Sequence, residues 1–244
     1  ESHPKIVERD DVTIIPMLYP TVNNSNQRPG HFIGAFHEYL AGVLHVPIPV
    51  SEFKGDIHLS AGEREWMSQV AGMGVHTPYW LIETGGKWDY TAKWFNPWTL
   101  QQVVNRCDRI VWVQFGDKGN WRPELRNTIN LVGETDLRQL IRLIYHADGV
   151  ICGVNGVMHL AAAIPAKPGG PAAKPCIVLA GAREPAHWEA YPTHRYLSTQ
   201  GAVPCGSPDA CWKSRCTPVG DGDDKDKPDA LCQNYVAYDI GKQE

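Results

Sequence analysis

The stretch Ile151–Ile164, ICGVNGVMHLAAAI, decides the fold because an apolar strand pattern runs directly into a helix pattern. Residues 149–152, GVIC, are short and apolar, as in a buried strand, whereas the alanine-rich part after Asn155 is typical of a helix. Gly153 and Gly156 allow a tight turn between the two. A strand that leads directly into a helix is the repeating unit of a parallel α/β sheet.

The same alternation extends in both directions from this stretch. Apolar strands are predicted at 79–83, 109–115, 128–133 and 176–181, and amphipathic helices at 97–107 and 136–147. Near-continuous apolar strands separated by amphipathic helices indicate a parallel sheet that is covered on both faces. We therefore predict an α/β fold with a Rossmann-like domain over residues 76–200.

Two shorter parts flank the predicted domain. Residues 1–75 contain a predicted buried strand at 12–17 and an amphipathic helix at 31–46, and they look like the end of an incomplete N-terminal domain. Residues 201–244 are a cysteine-rich segment, and its acidic run at 220–229 is expected to be a solvated loop.

Composition excludes several classes of function. The chain has 43% hydrophobic and 20% charged residues and a formal net charge of -4, without the basic excess of nucleic-acid-binding proteins. No run reaches the roughly 20 apolar residues of a membrane span, and the polar start ESHPKIVERDD is not a signal peptide. We expect a cytoplasmic protein with no nucleic-acid partner and no transmembrane segment.

Ligands of a doubly wound sheet bind beyond the carboxyl ends of its strands. Candidate contact residues directly follow two of the predicted strands, those at 79–83 and 109–115. After the strand at 79–83, Gly85 and Gly86 let a ligand approach the backbone, and Thr84 and Lys87 are candidate phosphate contacts. After the strand at 109–115, Asp117 is a candidate acceptor for ribose hydroxyls.

The third strand end is the turn in the stretch quoted above. Free N–H groups and the dipole at a helix start favour an anion, and Gly153 and Gly156 remove side chains that would block it. Asn155 lies in this turn, and His159 follows in the first helical turn, where its ring can donate to a phosphate or a sugar hydroxyl. The alternative is that the glycines only form a tight turn and His159 caps or packs.

Residues 132–191 resemble the C-terminal half of glycosyltransferase family 9, the ADP-heptose:lipopolysaccharide heptosyltransferases. The shared features, in order, are T-x-L-x-x-L-x-x-L-I-x-x-A-D, a Gly-rich turn, M-H-L-A-A-A, K-P-x-x-x-L-x-G and P-x-x-W-x-x-Y. The resemblance implies two Rossmann-like domains facing a cleft, the GT-B arrangement, with this chain supplying the C-terminal, donor-binding one. It also implies that no metal is needed for the chemistry.

The resemblance further implies which residues contact the donor. The turn at 153–156, His159 and Lys93 in AKWFNP would surround the diphosphate, and Thr135 would lie near the base and ribose. Arg183 is a candidate diphosphate or sugar contact, although packing of the C-terminal segment is an equal alternative.

Two departures from the family pattern limit what the resemblance carries over. Val154 stands where the family usually has an aspartate, which implies a different donor sugar, another placement of the polar group, or loss of transfer. The family's catalytic base belongs to the N-terminal domain, so the catalytic residue of this chain remains unknown.

The function implied is transfer of a sugar, heptose or a related one, from a nucleotide diphosphate sugar to an acceptor hydroxyl. An ADP-sugar is the favoured donor, and a glycan, lipid or protein is the acceptor, as in lipopolysaccharide biosynthesis at the inner membrane. A non-catalytic module that binds a sugar nucleotide or a partner is the alternative.

Four cysteines, Cys205, Cys211, Cys216 and Cys232, fall within the last 40 residues. Together they can hold a structural zinc or iron ion, which would fold a segment too polar to form a core, and iron is suggested by resemblance to protein-modifying heptosyltransferases. Disulfides or free thiols are the alternatives. In each case the segment is structural.

Overall fold

The computed structural model describes residues 7–9, 11–17, 19–25, 27–66, 69–201 and 210–232. The strands are β1 Val7–Arg9, β2 Val12–Ile14, β3 Tyr79–Glu83, β4 Val111–Gly116, β5 Ile129–Val132, β6 Gly149–Gly153, β7 Cys176–Ala180 and β8 Arg195–Ser198. The helices are α1 Phe32–Leu44, α2 Ala61–Glu65, α3 Gln69–Gly72, α4 Pro97–Arg106, α5 Leu137–His146, α6 Gly156–Ala163 and α7 Ala186–Glu189. None of the helices in these ranges is long and apolar enough to cross a bilayer.

Strands β3 to β8 form one parallel sheet in the order β5-β4-β3-β6-β7-β8. Counted from β3, this is the 3-2-1-4-5-6 order of the doubly wound dinucleotide-binding fold. The predicted α/β, Rossmann-like fold is therefore confirmed. Because the strand order reverses between β3 and β6, the crevice where such sheets bind ligands lies beyond Glu83 and Gly153.

The pleat of the strands sends alternate side chains into two separate layers of core. On one face, Leu81 of β3 packs in a cluster with Ile144 of α5 and Met158 of α6. On the other face, Ile82 packs with Leu100 and its neighbours on α4. Both faces are thus covered by helices, as the apolar strands predict.

Two expectations about the flanks of the sheet need correction. The strand predicted as buried is exposed, with Val12 at 60% and Ile14 at 46% exposure, because β2 pairs with β1 in a separate two-stranded hairpin. Strand β8 was not predicted, since its residues RYLS form a short and largely exposed edge. The acidic run at 220–229 is mostly exposed, as expected for a solvated loop, but two of its aspartates pair with a buried arginine.

That arginine, Arg215, ties the segment 210–232 to the loop after β3. Its guanidinium is fully buried and forms ion pairs with Asp221 at 2.6 Å and Asp226 at 2.6 Å, while Nε donates to the carbonyl oxygen of Asp89 at 3.1 Å. Thr91 Oγ1 accepts from the backbone N–H of Cys216 at 3.0 Å. Two aspartates of the acidic run therefore neutralise a buried charge instead of remaining free in solvent.

Candidate functional site

Glu83 joins the two strand ends at the point where the sheet order reverses. Its Oε2 accepts from the backbone N–H of Gly153 at 3.2 Å and from Asn155 Nδ2 at 2.6 Å, and its Oε1 pairs with Arg122 Nη1 at 2.8 Å. Burial raises the pKa of Glu83, and Arg122 with the N–H donors acts in the opposite direction. The carboxyl group thereby fixes the turn between β6 and α6 against β3.

The first turn of α6 is capped on one side and open on the other. Asn155 Oδ1 accepts from the backbone N–H of Val157 at 2.9 Å, so Asn155 is the N-cap of the helix. A Cβ on Gly153 would lie 2.4 Å from Phe95 Cζ, whereas no described residue places an atom within 4 Å of a Cβ on Gly156. The approach to the helix start is therefore open beside Gly156.

Lys93 brings a positive charge to this turn. It ends a short 3₁₀ turn at Thr91–Lys93, and its Nζ donates to the carbonyl oxygen of Val154 at 3.0 Å. The same ammonium lies 2.5 Å from Glu184 Oε1, and Arg183 Nη1 contacts that oxygen as well. Glu184 is only 5% exposed, so one buried carboxylate lies between two cations beside the start of α6.

His159 lies on the same helix and faces a tyrosine and a carboxyl group. Its Nδ1 is 2.9 Å from Tyr191 Oη, and its Nε2 is 3.6 Å from Glu189 Oε2. Burial lowers the pKa of His159 to about 4 and raises the pKa of Glu189 to about 7. The imidazole is therefore neutral near pH 7 and can offer a hydrogen bond without a fixed charge.

The loop after β3 is filled by protein. The Thr84 hydroxyl accepts from Gln114 Nε2 at 2.8 Å, and a Cβ on Gly85 would lie 2.0 Å from the Trp121 carbonyl oxygen. Gly86 and Trp121 exchange two backbone hydrogen bonds of 3.1 Å. Thr84, Gly85 and Gly86 are three of the predicted donor contacts, and a ligand cannot reach them from the side that Trp121 covers. Lys87 is exposed, with Nζ 5.8 Å from the centre of the Tyr90 ring.

Three other predicted contacts lie on different parts of the sheet edge. Asp117 accepts from Arg122 Nη2 at 2.7 Å and is half exposed. Thr135 directly precedes Asp136, the N-cap of α5, beyond the end of β5. Arg183 Nε donates to the carbonyl oxygen of Lys213 at 2.7 Å, which anchors the C-terminal segment. The donor roles of these residues stay predictions.

Of the four clustered cysteines, Cys211, Cys216 and Cys232 lie in the described ranges, and Cys205 lies outside the described residues. In the described ranges, no group of three or more His, Cys, Asp or Glu side chains is arranged to hold a metal ion. Cys216 Sγ contacts Thr91 Oγ1 at 3.6 Å. The structural metal and the disulfides both stay predictions.

The functional residues that the sequence patterns did not predict are Glu83, Arg122 and Glu189. Glu83 did carry a signal, since it is a charged residue that ends an otherwise apolar strand, YWLIE, at the carboxyl edge of the sheet. Arg122 and Glu189 carried no such signal in the sequence. Arg122 contacts Glu83, which is 39 residues away, and Glu189 faces His159, which is 30 residues away.

A doubly wound parallel sheet, with a polar turn and a helix start at the point where its strand order reverses, defines a Rossmann-like α/β domain. Residues 117–204 match the family model described as glycosyltransferase family 9 (heptosyltransferase). This match confirms the resemblance predicted from residues 132–191. A comparison with curated proteins found no match.

Two solved structures are similar to this chain. One is the glycosyl transferase family 9 protein from Veillonella parvula DSM 2008, with a TM-score of 0.49, 14% identity, and coverage of 70% of this chain and 49% of that one. The other is the ADP-heptose lps heptosyltransferase II of E. coli, with a TM-score of 0.48, 17% identity, and coverage of 68% and 51%. The chain thus spans about half the length of these structures.

Proposed function

We propose that this chain carries the donor-binding half of a metal-independent glycosyltransferase. The donor is a nucleotide diphosphate sugar, with an ADP-sugar favoured, and heptose or a related sugar passes to an acceptor hydroxyl. The family match of residues 117–204 supports the reaction class. The observation that supports donor binding is the juxtaposition of Lys93 with the open start of α6 at Gly156.

This arrangement suits a leaving group that gains negative charge. As the bond from the anomeric carbon to the diphosphate breaks, the electron pair stays on the diphosphate oxygen. Backbone N–H groups at the start of α6, the Lys93 ammonium and the neutral His159 ring would stabilise that charge. Donors held in place before the reaction avoid the cost of reorganising solvent around the product.

Glu184 explains how the site can be stable without a ligand. Lys93 and Arg183 would repel one another in a buried environment, and the Glu184 carboxylate lies between them. A diphosphate that binds Lys93 would take over part of this role and compete with Glu184 for the ammonium. The affinity for nucleotides therefore depends on Glu184 as well as on the cations.

The test of donor binding is the melting temperature of the chain with ADP, UDP or GDP in the presence of EDTA. We expect at least one of these to raise the melting temperature by several degrees, and His159→Ala to reduce that increase. His58→Ala is the matched control, because His58 is almost fully exposed. No shift with any of the three nucleotides would contradict the proposal.

A second candidate function is a module that binds a sugar nucleotide without transferring the sugar. Val154 favours it, since the side chain at this position is buried in the core, where the family usually has an aspartate. No carboxylate from this position can then reach the sugar.

Donor turnover separates the two candidates. The longest natural form of the protein is incubated with ADP-, UDP- and GDP-sugars, and release of the nucleoside diphosphate is followed with and without candidate acceptors. Transfer or hydrolysis at a rate above that of a Lys93→Met variant supports the enzyme, whereas binding without turnover supports the module.

A further inference from the structure

The C-terminal segment, residues 210–232, holds Arg183 beside the candidate site. Arg183 Nε donates to the carbonyl oxygen of Lys213 at 2.7 Å, and Nη2 donates to that of Trp212 at 3.2 Å. In return, the Arg183 carbonyl oxygen accepts from the backbone N–H groups of Cys211 at 3.1 Å and Trp212 at 2.9 Å. These hydrogen bonds fix the arginine to the segment, and only 12% of its side chain is exposed.

The guanidinium group of Arg183 is also packed against aromatic rings. Its Cζ lies 5.4 Å from the centre of the Tyr90 ring and 5.3 Å from a ring of Trp212, within the range of cation–π attraction. Each of its three nitrogens donates to protein, because Nη1 contacts Glu184 Oε1. These contacts favour a role for Arg183 within the protein over a direct contact with the donor.

The same segment holds the turn that carries Lys93. The backbone N–H of Ala92 donates to the carbonyl oxygen of Ser214 at 3.2 Å. Thr91 Oγ1 accepts from the backbone N–H of Cys216 at 3.0 Å. The two cations beside the start of α6 are therefore both fixed by one short stretch of the C-terminal segment.

Lys93 and Arg183 differ in how easily a ligand can reach them. Glu184 Oε1 lies 2.5 Å from Lys93 Nζ and also contacts Arg183 Nη1. The side chain of Lys93 is 28% exposed, whereas that of Arg183 is 12% exposed. A diphosphate at the start of α6 would therefore compete with Glu184 for Lys93, and Glu184 would keep Arg183 as its partner.

We propose that Arg183 is a positioning residue that stays paired with Glu184 when a diphosphate binds Lys93, and that the C-terminal segment fixes Arg183 for this role. The inference rests on the proposed function and makes the segment a working part of the donor site. A buried carboxylate that lost both partners would have a large desolvation cost, which would oppose nucleotide binding. With Arg183 in place, one charge-assisted hydrogen bond to the carboxylate remains.

The test is a double-mutant cycle on ADP affinity, measured by titration calorimetry in EDTA at physiological ionic strength. Arg183→Met should weaken ADP binding roughly tenfold, because Glu184 then depends on Lys93 alone. In the Glu184→Gln background no carboxylate needs a partner, so the same substitution should weaken binding about twofold or less. A direct contact between Arg183 and the diphosphate would instead give an equal or larger loss in that background.

Arg195→Met is the matched control for the loss of a positive charge. Arg195 is exposed at the start of β8, at the opposite end of the sheet from the candidate site. This control should leave ADP binding nearly unchanged in both Glu184 backgrounds. Far-UV circular dichroism checks that each variant is folded.

A second variant tests the segment without changing either cation. Thr91→Val nearly keeps the shape of the side chain but removes the acceptor for the Cys216 N–H, which loosens the segment at the Lys93 turn. It should weaken ADP binding roughly threefold. Thr128→Val is its control and should have no effect, because Thr128 precedes β5 and its hydroxyl donates to the nearby Leu125 carbonyl oxygen at 3.0 Å.

Two results would overturn the inference while the proposed function stands. One is an equal loss of ADP affinity from Arg183→Met in both Glu184 backgrounds, and the other is unchanged binding in Thr91→Val, which also decides the matter if Arg183→Met does not fold. Absence of ADP binding by the wild type would overturn the inference and the proposed function together.

Discussion

The loop after β3 and the turn after β6 are similar in sequence, but protein fills the first and leaves the second open. Each follows a buried apolar strand, and each combines glycines with polar residues. Trp121 fills the space beside Gly85, whereas no described atom lies within 4 Å of a Cβ on Gly156, and Lys93 binds the Val154 carbonyl oxygen in the same turn. Glycines at a strand end therefore allow another group to come close to the backbone. Whether that group can be a ligand depends on whether a residue from elsewhere in the chain, such as Trp121, already packs against the glycine.

The largest expected effect is a difference in stability between two identical substitutions. Gly85→Ala places a methyl group against the Trp121 carbonyl oxygen and should lower the free energy of unfolding by about 3 kcal/mol. Gly156→Ala adds a methyl group to open space in a helix and should change it by less than about 1 kcal/mol. Urea denaturation measures both, and equal losses would mean that the two turns are filled alike.

The next expected effect concerns pH and Glu189, which faces His159. The pKa of this carboxyl is raised from 4.5 to about 7 by burial, so its neutral form stabilises the fold below pH 4.5, and this contribution is lost as pH rises through 7. Glu189→Gln cannot ionise. Relative to this variant, the wild type should lose about 2–3 kcal/mol of unfolding free energy between pH 5 and pH 8.

His31 and His159 titrate in both proteins, so their contribution cancels in that difference. Both have pKa values lowered to about 4, and their stabilising effect is lost as pH falls below 6.5. A difference between wild type and Glu189→Gln that does not vary with pH would show that Glu189 is not buried next to His159.

The smallest expected effect is a gain in affinity at the open turn. Glu184→Gln keeps the shape of the side chain but removes the charge that competes for Lys93. The affinity for ADP should rise roughly fivefold, as measured by titration calorimetry. Glu124→Gln, at an exposed carboxylate, is the matched control. Unchanged or weaker binding in Glu184→Gln would mean that the carboxylate does not occupy the anion position.

Much of the fold could be predicted because its signals are local. The apolar runs and the helix pattern after Asp136 depend on neighbouring residues, and the structure places β3, β4, β6 and β7 within two residues of the predicted bounds. The prediction that the strand at 12–17 is buried was wrong, because the burial of a strand depends on where its partner strand lies. Strand β8 was missed because it is a short edge whose pairing with β7 alone defines it.

The candidate site was predictable only where a side chain lies close in sequence to the turn it serves. Asn155 and Gly156 belong to the turn itself, whereas Lys93 reaches Val154 across 61 residues and entered through the family resemblance. The Arg215 ion pairs show the same limit, since an acidic run of this composition is usually solvated. Charge pairs between distant parts of the chain cannot be predicted from a local sequence pattern.

The most direct measurement is a calorimetric titration of ADP in EDTA into the wild type, Lys93→Met and Lys87→Met. Lys87 follows the filled loop and is exposed, whereas Lys93 lies on the open turn, so the two variants remove the same charge from the filled loop and from the open turn. We expect Lys93→Met to weaken ADP binding at least tenfold and Lys87→Met to leave it nearly unchanged. Binding that is equal in the three proteins, or lost in Lys87→Met alone, would contradict it.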